Sequence, residues 1–342
     1  MSGRPAIAVL AALLLAIAAA LWWTGRSGTG DDVPVDAAGA GAAHVAPRAP
    51  PPNAPAPSAW PELPPLDRPL RLAIADLRAR ADAGDPLAAC RLATEAERCH
   101  FLAQNVQGAR EQLERNDERA PVPPERREAM ERARQQMRDL LARRERDAAH
   151  CEGVEPLAPT ERVRYWRQAA LAGHVPSMRR YASGAVFDLQ ALVDLLPQLA
   201  TYREEAEFLA RRAAAAGDLQ AAAMLAFAYQ EEPRRSPQGA SPNLLRQVVR
   251  PDPRDALAWL QAVRAHPAVA RLPDAHWFGP SVESALARAA ERLPAGESLP
   301  APASMPVVES GSAWPLPTPG EMVFGPGGVT RQECGARQFA GG

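Results

Sequence analysis

Apolar positions in this chain recur with a helical period, broken at regular places by glycine. In FLARRAAAAGDLQAAAMLAFAY (Phe208 to Tyr229) two alanine-rich runs meet at Gly217-Asp218, and Ala221 and Leu225 repeat at a four-residue spacing. That spacing predicts two short helices joined by a tight turn, neither able to bury enough surface alone. A shift of 44 residues lays Ala213–Gly217 on Ala169–Gly173, and a further 89 lays Gly173 on Gly84. The copies read RARADAGDPLAACRLA (Arg78 to Ala93), RQAALAGHVPSMRRYA (Arg167 to Ala182) and RRAAAAGDLQAAAMLA (Arg211 to Ala226). RDALAWLQAVRAH (Arg254 to His266) is a partial fourth, with the first helix and no glycine.

Each feature of the unit has a physical role. Alanines ahead of the glycine let two helices approach closely. Gly84, Gly173 and Gly217 can take the left-handed conformation that ends a helix. Asp85 and Asp218 can cap the helix that follows, Pro86 suits its first turn, and His174 holds the equivalent cap position. Internal repetition of this kind predicts an all-α fold, an α-solenoid of helix–turn–helix repeats in which each unit covers its neighbour.

Between the first and second copies the period changes to a narrow seam. Leu102, Val106, Ala109 and Leu113 lie on one side of a helix, and Ala129, Ala133, Met137, Leu140 and Leu141 lie on one side of a second, after APVPP (Ala120 to Pro124). This predicts an antiparallel helical hairpin inserted at about 101–150. Its outer face mixes eight Arg with six Asp and Glu between Glu125 and Asp147, a solvated face rather than a basic stripe for nucleic acid.

The ends follow different patterns. Ala6 to Trp23 is an uncharged apolar run between Arg4 and Arg26, closed by Trp22 and Trp23. It predicts a transmembrane signal anchor over 1–26, although Ala18-Ala19-Ala20 also has the form of a cleavage site. The expected localisation is therefore the bacterial inner membrane, single-pass, with the repeat domain in the periplasm and the membrane reached through the anchor. Residues 27–69 read as a Pro/Ala-rich linker, 70–293 as the repeat domain and 294–342 as a disordered Pro/Gly/Ser-rich tail.

Composition changes little in this picture. The net charge of −1 supplies no field that favours nucleic acid, and all 39 basic residues are Arg, which reads as genomic coding bias. The repeat positions resemble the Sel-one-like repeat, a relative of the tetratricopeptide repeat. They are Tyr165, Ala169, Ala170, Gly173 and Tyr181 in one copy; Phe208, Ala213, Ala214, Gly217, Ala221 and Leu225 in another; Ala256, Trp259 and Leu260 in the partial copy. The glycine that closes the second helix in that family is present only as Gly184. The resemblance implies an adaptor role in multiprotein assemblies, often at the cell envelope.

Candidate chemistry is sparse. Helical phase points Arg164, Arg167, Gln168, Arg211 and Arg212 outward from first helices, a candidate patch for a carboxylate-bearing peptide or protein segment. The competing reading pairs those arginines with Glu204, Glu205 and Glu207. Four cysteines permit three full pairings. Cys99–Cys151 closes the base of the hairpin and is the expected bond; an unbroken helix from Ala88 to Asn116 favours Cys90–Cys151 instead. Cys334 falls in the tail, free or intermolecular. Cys99-His100 and His150-Cys151 form a zinc-compatible set, but adjacent pairs lack the gap of structural zinc sites, so no metal and no cofactor is expected. No HExxH, GxSxG or phosphate loop occurs. The expected function is a non-enzymatic protein–protein interaction scaffold at the cell envelope. The alternatives are a self-associating structural or stress-related factor, joined through the hairpin, and, more weakly, an enzyme without a recognisable motif.

Overall fold

Three turns explain how the helices begin and end. Gly84, Gly173 and Gly217 have φ between +89° and +100°, a region open to glycine. In each turn the glycine amide donates three residues back, to Ala81, Ala170 and Ala214, and the next amide five back, to Arg80, Ala169 and Ala213. This is the paired-bond helix stop whose carbonyls would otherwise be orphaned. The Asp85 carboxylate then accepts from the Leu87 and Ala88 amides at 2.9 and 3.2 Å. Asp218 accepts from Ala221 at 2.9 Å. His174 stands at the same place but does not cap; its Nδ1 meets Ser177 Oγ at 2.7 Å instead.

The structure, a computed structural model, describes residues 60–117, 124–230, 244–273, 276–307 and 328–340. Their regular structure is helical: α1 (Ile74–Asp82), α2 (Pro86–Asp117), α3 (Arg127–Ala148), α4 (Pro159–Leu171), α5 (Val175–Ala182), α6 (Leu196–Ala215), α7 (Leu219–Ala228), α8 (Leu244–Val248), α9 (Pro253–Ala265), α10 (Pro267–Ala270), α11 (Phe278–Glu291) and α12 (Arg331–Gly335). The protein is all-α. Among the described residues there is no strand, only an isolated antiparallel bridge between His174 and Phe339.

Packing follows chain order. α1 lies on α2, α2 on α4, α4 on α5, α5 on α6, α6 on α7, α7 on α9 and α9 on α11. Fully buried alanines (Ala169, Ala170, Ala210, Ala213, Ala214, Ala221) line these contacts, and their size permits the close approach. Bulk comes from a few large rings. Trp166, Tyr165, Tyr181 and Tyr202 are buried, and Tyr202 meets Tyr181 and Phe187 edge-on at 5.6 and 5.1 Å between centroids. Aromatic side chains of this kind carry much of the burial energy in a small-residue core.

α3 stands outside that succession and packs on α2. Its register is fixed by a set of cross-links: Arg134 donates to the Asn116 carbonyl at 3.0 Å, Arg144 to the Asn105 carbonyl at 3.0 Å, and Cys99 bonds Cys151. The two helices are therefore antiparallel. α2 is unbroken, the condition under which the sequence favoured Cys90–Cys151, yet Cys151 sits beside Cys99. The reversal is centred near Glu125, about 26 residues from either cysteine, and this loop position decides the partner. Along the seam Val106 and Ala109 are buried, and Met137, Leu140 and Leu141 are half-buried. Ala129 and Ala133 stay exposed.

Two expectations need correction. Composition put everything after residue 293 in a disordered tail, but residues 328–340 are folded against α2 and α5, with Cys334 buried and bonded to Cys90. The expected single-pass membrane placement is overturned for the described residues: no helix there is both long and apolar enough to cross a membrane. α2 has the length, at 32 residues, but carries charges such as Arg91, Glu95, Glu97, Arg98, Arg110 and Glu111 along it. Ala6 to Trp23, which gave rise to that expectation, lies outside the described residues.

Candidate functional site

The outward arginines on the first helices are committed to neighbouring helices. Arg164 reaches Asp82 of α1 at 3.1 Å, and the Tyr165 hydroxyl donates to the same carboxylate at 3.0 Å. Arg167 grips Glu205 of α6 at 2.5 and 2.8 Å, with the Tyr181 hydroxyl on the same group at 3.4 Å. Arg211 bridges Glu207 of its own helix at 3.1 Å and Asp255 of α9 at 2.5 Å, while Tyr229 donates to Glu207 at 2.5 Å. Gln168 donates to the Ala81 carbonyl. An arginine, a carboxylate and a tyrosine thus recur at each junction. They form a ladder that holds consecutive helix pairs in register, with Arg164, Arg167 and Arg211 each on a carboxylate of the molecule itself.

Arg212 belongs to a different place. Its guanidinium donates to the Ala340 carbonyl at 3.3 Å, one of several bonds that seat the C-terminal segment. The Val175 amide, at the start of α5, donates to the Gln338 carbonyl at 3.0 Å, and the Ala340 amide donates to the Gly173 carbonyl at 2.9 Å. A Cβ on Gly173 would lie 3.3 Å from the Ala340 carbonyl oxygen and 3.4 Å from Arg212. The glycine therefore serves two ends here, the turn itself and the close approach of this segment. Phe339 lies against the His174 ring, with centroids 5.6 Å apart.

Upstream, Thr330 and Glu333 form a reciprocal capping box, with both bonds present, and start the single turn of α12. Glu333 accepts from Arg179 at 2.8 Å, and Arg179 also holds Asp218, the cap of α7, at 2.7 Å. The Arg179 side chain is only 3% exposed, and its two terminal nitrogens each hold a carboxylate. Arg331 donates to the Leu66 carbonyl at 3.0 Å and approaches Glu95 at 3.5 Å. Glu95, wholly buried, also takes Arg91 at 2.7 Å and faces His150 at 3.1 Å. Beside the seat a cleft of about 320 Å³ is lined by Leu63, Leu66, Leu87, Arg91, Arg331 and Arg337.

The seat perturbs two titrating groups. Burial pulls the His174 imidazole down from its ordinary value to about 4. Its Nε2 has no hydrogen-bond partner among the described residues. Burial alone would push the Glu333 carboxyl up, but the Arg179 charge and the hydrogen bonds from Arg179 and Thr330 outweigh it, so the group sits below the usual carboxylate range.

The zinc-like set is dispersed. Cys99 and Cys151 are consumed in their disulfide, His150 faces Glu95, and His100 meets Gln104 at 3.0 Å. Among the described residues no group of three or more His, Cys, Asp or Glu is placed to hold a metal ion. Comparison with family models, curated proteins and solved structures returns no match.

Sequence reasoning overlooked Arg179, Glu333, Phe339 and the Cys90–Cys334 bond. One signal was available: Thr330-x-x-Glu333 is a helix-start signature in a stretch otherwise read as disordered.

Proposed function

We propose that this chain is a non-enzymatic protein-binding scaffold, a Sel-one-like helical solenoid whose hairpin, α2's outer part with α3, is inserted between the first and second repeats. One observation carries the functional reading: the surface where α2, α5 and the end of α6 meet holds an extended segment by main-chain bonds and a buried cation. Backbone groups give such a surface affinity for any extended peptide, and the charged and aromatic contacts select among them. Helices that pack in chain order and three equivalent glycine turns support the repeat architecture. The partner is a protein or peptide. Of the arginines first nominated for it, Arg164, Arg167 and Arg211 pair with carboxylates of neighbouring helices, so the binding surface moves to the neighbourhood of His174, Arg179 and Arg212.

Site-specific photo-crosslinking in living cells tests this reading. Ala172, at the edge of the seat, and Ala287, on α11 away from it, are both exposed and would each carry the photoreactive residue. The reading expects adducts of discrete mass from position 172 and none from 287. Adducts from both positions, from 287 alone, or from neither would overturn it.

A further inference from the structure

Residues 330–340 make contacts of the sort a bound peptide makes, and their composition states what the surface selects. A five-residue helix and a short extended stretch cannot hold themselves together in water. The segment's order comes from what it touches: Arg179 on Glu333, the His174 ring on Phe339, the Val175 amide on Gln338, and the Gly173 carbonyl and Arg212 on Ala340. Four of the five receiving residues belong to the second repeat unit and one to the third, so the receiving surface is continuous across a repeat junction. The Cys90–Cys334 bond then fastens the segment to α2.

We infer that residues 330–340 are a resident pseudo-ligand. The seat is a site for an extended segment of another protein that carries a carboxylate and, six residues later, an aromatic ring, and the chain's own copy must leave before that partner binds. Glu333 and Phe339 set this spacing. The inference rests on the scaffold reading and deepens it by naming the ligand class and the gate. Two features make the gate effective. The occupant belongs to the same chain, so it competes at an effective concentration on the order of mM. The tether is the second: the segment leaves only after an external dithiol exchanges with Cys90–Cys334, which becomes two thiols as the dithiol becomes a disulfide. The burial of both sulfurs slows that exchange while the segment is seated.

The test uses the full-length protein and a labelled peptide of residues 328–340 carrying Cys334→Ser. The protein is wild type or carries Glu333→Arg, Cys334→Ser and Phe339→Ala together, which leaves every residue of the seat unchanged. The expected result is no measurable binding of peptide to wild type and binding to the triple variant at least ~10-fold tighter. A peptide that also carries Glu333→Ala and Phe339→Ala should not bind the variant. Circular dichroism checks that the variant keeps its helices. If it does not, Cys334→Ser alone serves in its place, with intermediate binding expected. Equal binding to wild type and variant would overturn the gate, and no binding to a folded variant would overturn the ligand class. Crosslinks at position 172 without peptide binding would sink this inference and leave the scaffold standing. Absence of crosslinks from position 172 would sink the scaffold reading and this inference with it.

Discussion

Cys90 and Cys99 stand nine residues apart on α2, and each begins a disulfide, but the regions those bonds close differ in most physical respects. Cys99–Cys151 spans 52 residues and closes a pair of neighbouring helices. α3 has no buried residue, and its ion pair with α2, Arg110–Glu145, leaves the two side chains 53% and 42% exposed. Cys90–Cys334 spans 244 residues and closes a surface built from three distant parts of the chain. There Arg179 lies in a dry setting between two carboxylates, and His174 is buried and neutral. Water softens every interaction in the first region. In the second, Arg179, Asp218 and Glu333 depend on one another, so a single loss should be felt more sharply.

The strongest way to break this contrast is Arg179→Ala, which leaves Asp218 and Glu333 as neighbouring carboxylates without their cation. Breaking a buried pair from one side destabilises by about 3–5 kcal/mol. Leu140→Ala in the α2–α3 seam removes a half-buried side chain, and a loss of about 1 kcal/mol is expected there. Urea unfolding of both variants measures the difference. Comparable losses would mean that the seat is wetter than its burial indicates.

Removing each disulfide sharpens the same contrast. Cys99→Ala with Cys151→Ala, and separately Cys90→Ala with Cys334→Ala, should each cost about 2–4 kcal/mol. The longer loop should cost about 1 kcal/mol more, because closure entropy grows with the logarithm of the residues enclosed. Calorimetry that finds the longer bond contributing less would show that residues 328–340 detach without loosening the helices beneath them.

Acidification comes next. His174 has a folded value of about 4 against an ordinary 6.5. Below pH 6.5 the unfolded chain takes up a proton that the folded one refuses, so stability falls from there towards pH 4 and then levels. The shift is equivalent to up to about 3 kcal/mol. Glu333, depressed by Arg179, contributes stability that is fully present above its unfolded value and is lost as pH falls through the folded one, a second decline on the acid side. Arg179, Ser177, Glu333 and the backbone of Ala336 and Glu333 are the charged and polar groups that face the ring. Urea midpoints at pH 7.5, 5.5 and 4.5 should decline, and His174→Gln should flatten the part between 6.5 and 4. An unchanged slope in that variant would remove His174 from the account.

What the sequence disclosed follows the same division. Period, turn and cap chemistry act within about ten residues, so Gly84-Asp85, Gly173 and Gly217-Asp218 could be read directly, and the helical class with them. The α2–α3 seam was also legible, since its helices are adjacent and their spacing is regular. Arg164, Arg167 and Arg211 were correctly placed on first helices. Their partners Asp82, Glu205 and Asp255 sit on other units, and no local rule pairs them. The seat was the least legible region. Arg179 looks like any surface arginine in MRRY, and only folding brings Asp218 and Glu333 to it from 39 and 154 residues away. Phe339 sits in a stretch whose composition reads as tail, and nothing nearby in sequence announces that His174 will cover it.

The smallest expected effect separates the regions most cleanly. In a double-mutant cycle on Arg110 and Glu145, both replaced by Ala, the coupling should be about 0.2–1 kcal/mol, the usual worth of an exposed pair. Raising salt from 0.15 to 1 M shortens the screening length from about 8 to 3 Å, and that coupling should then vanish. The same cycle on Arg179 and Glu333 should give about 1.5–3 kcal/mol, the range for hydrogen bonds to charged groups, and keep more of it in high salt, because this pair is less open to ions, with the arginine 3% and the carboxylate 26% exposed. If both couplings fade together, residues 328–340 leave their seat readily in solution and the gate described above stands open. If only the hairpin pair fades, the segment is held in its seat.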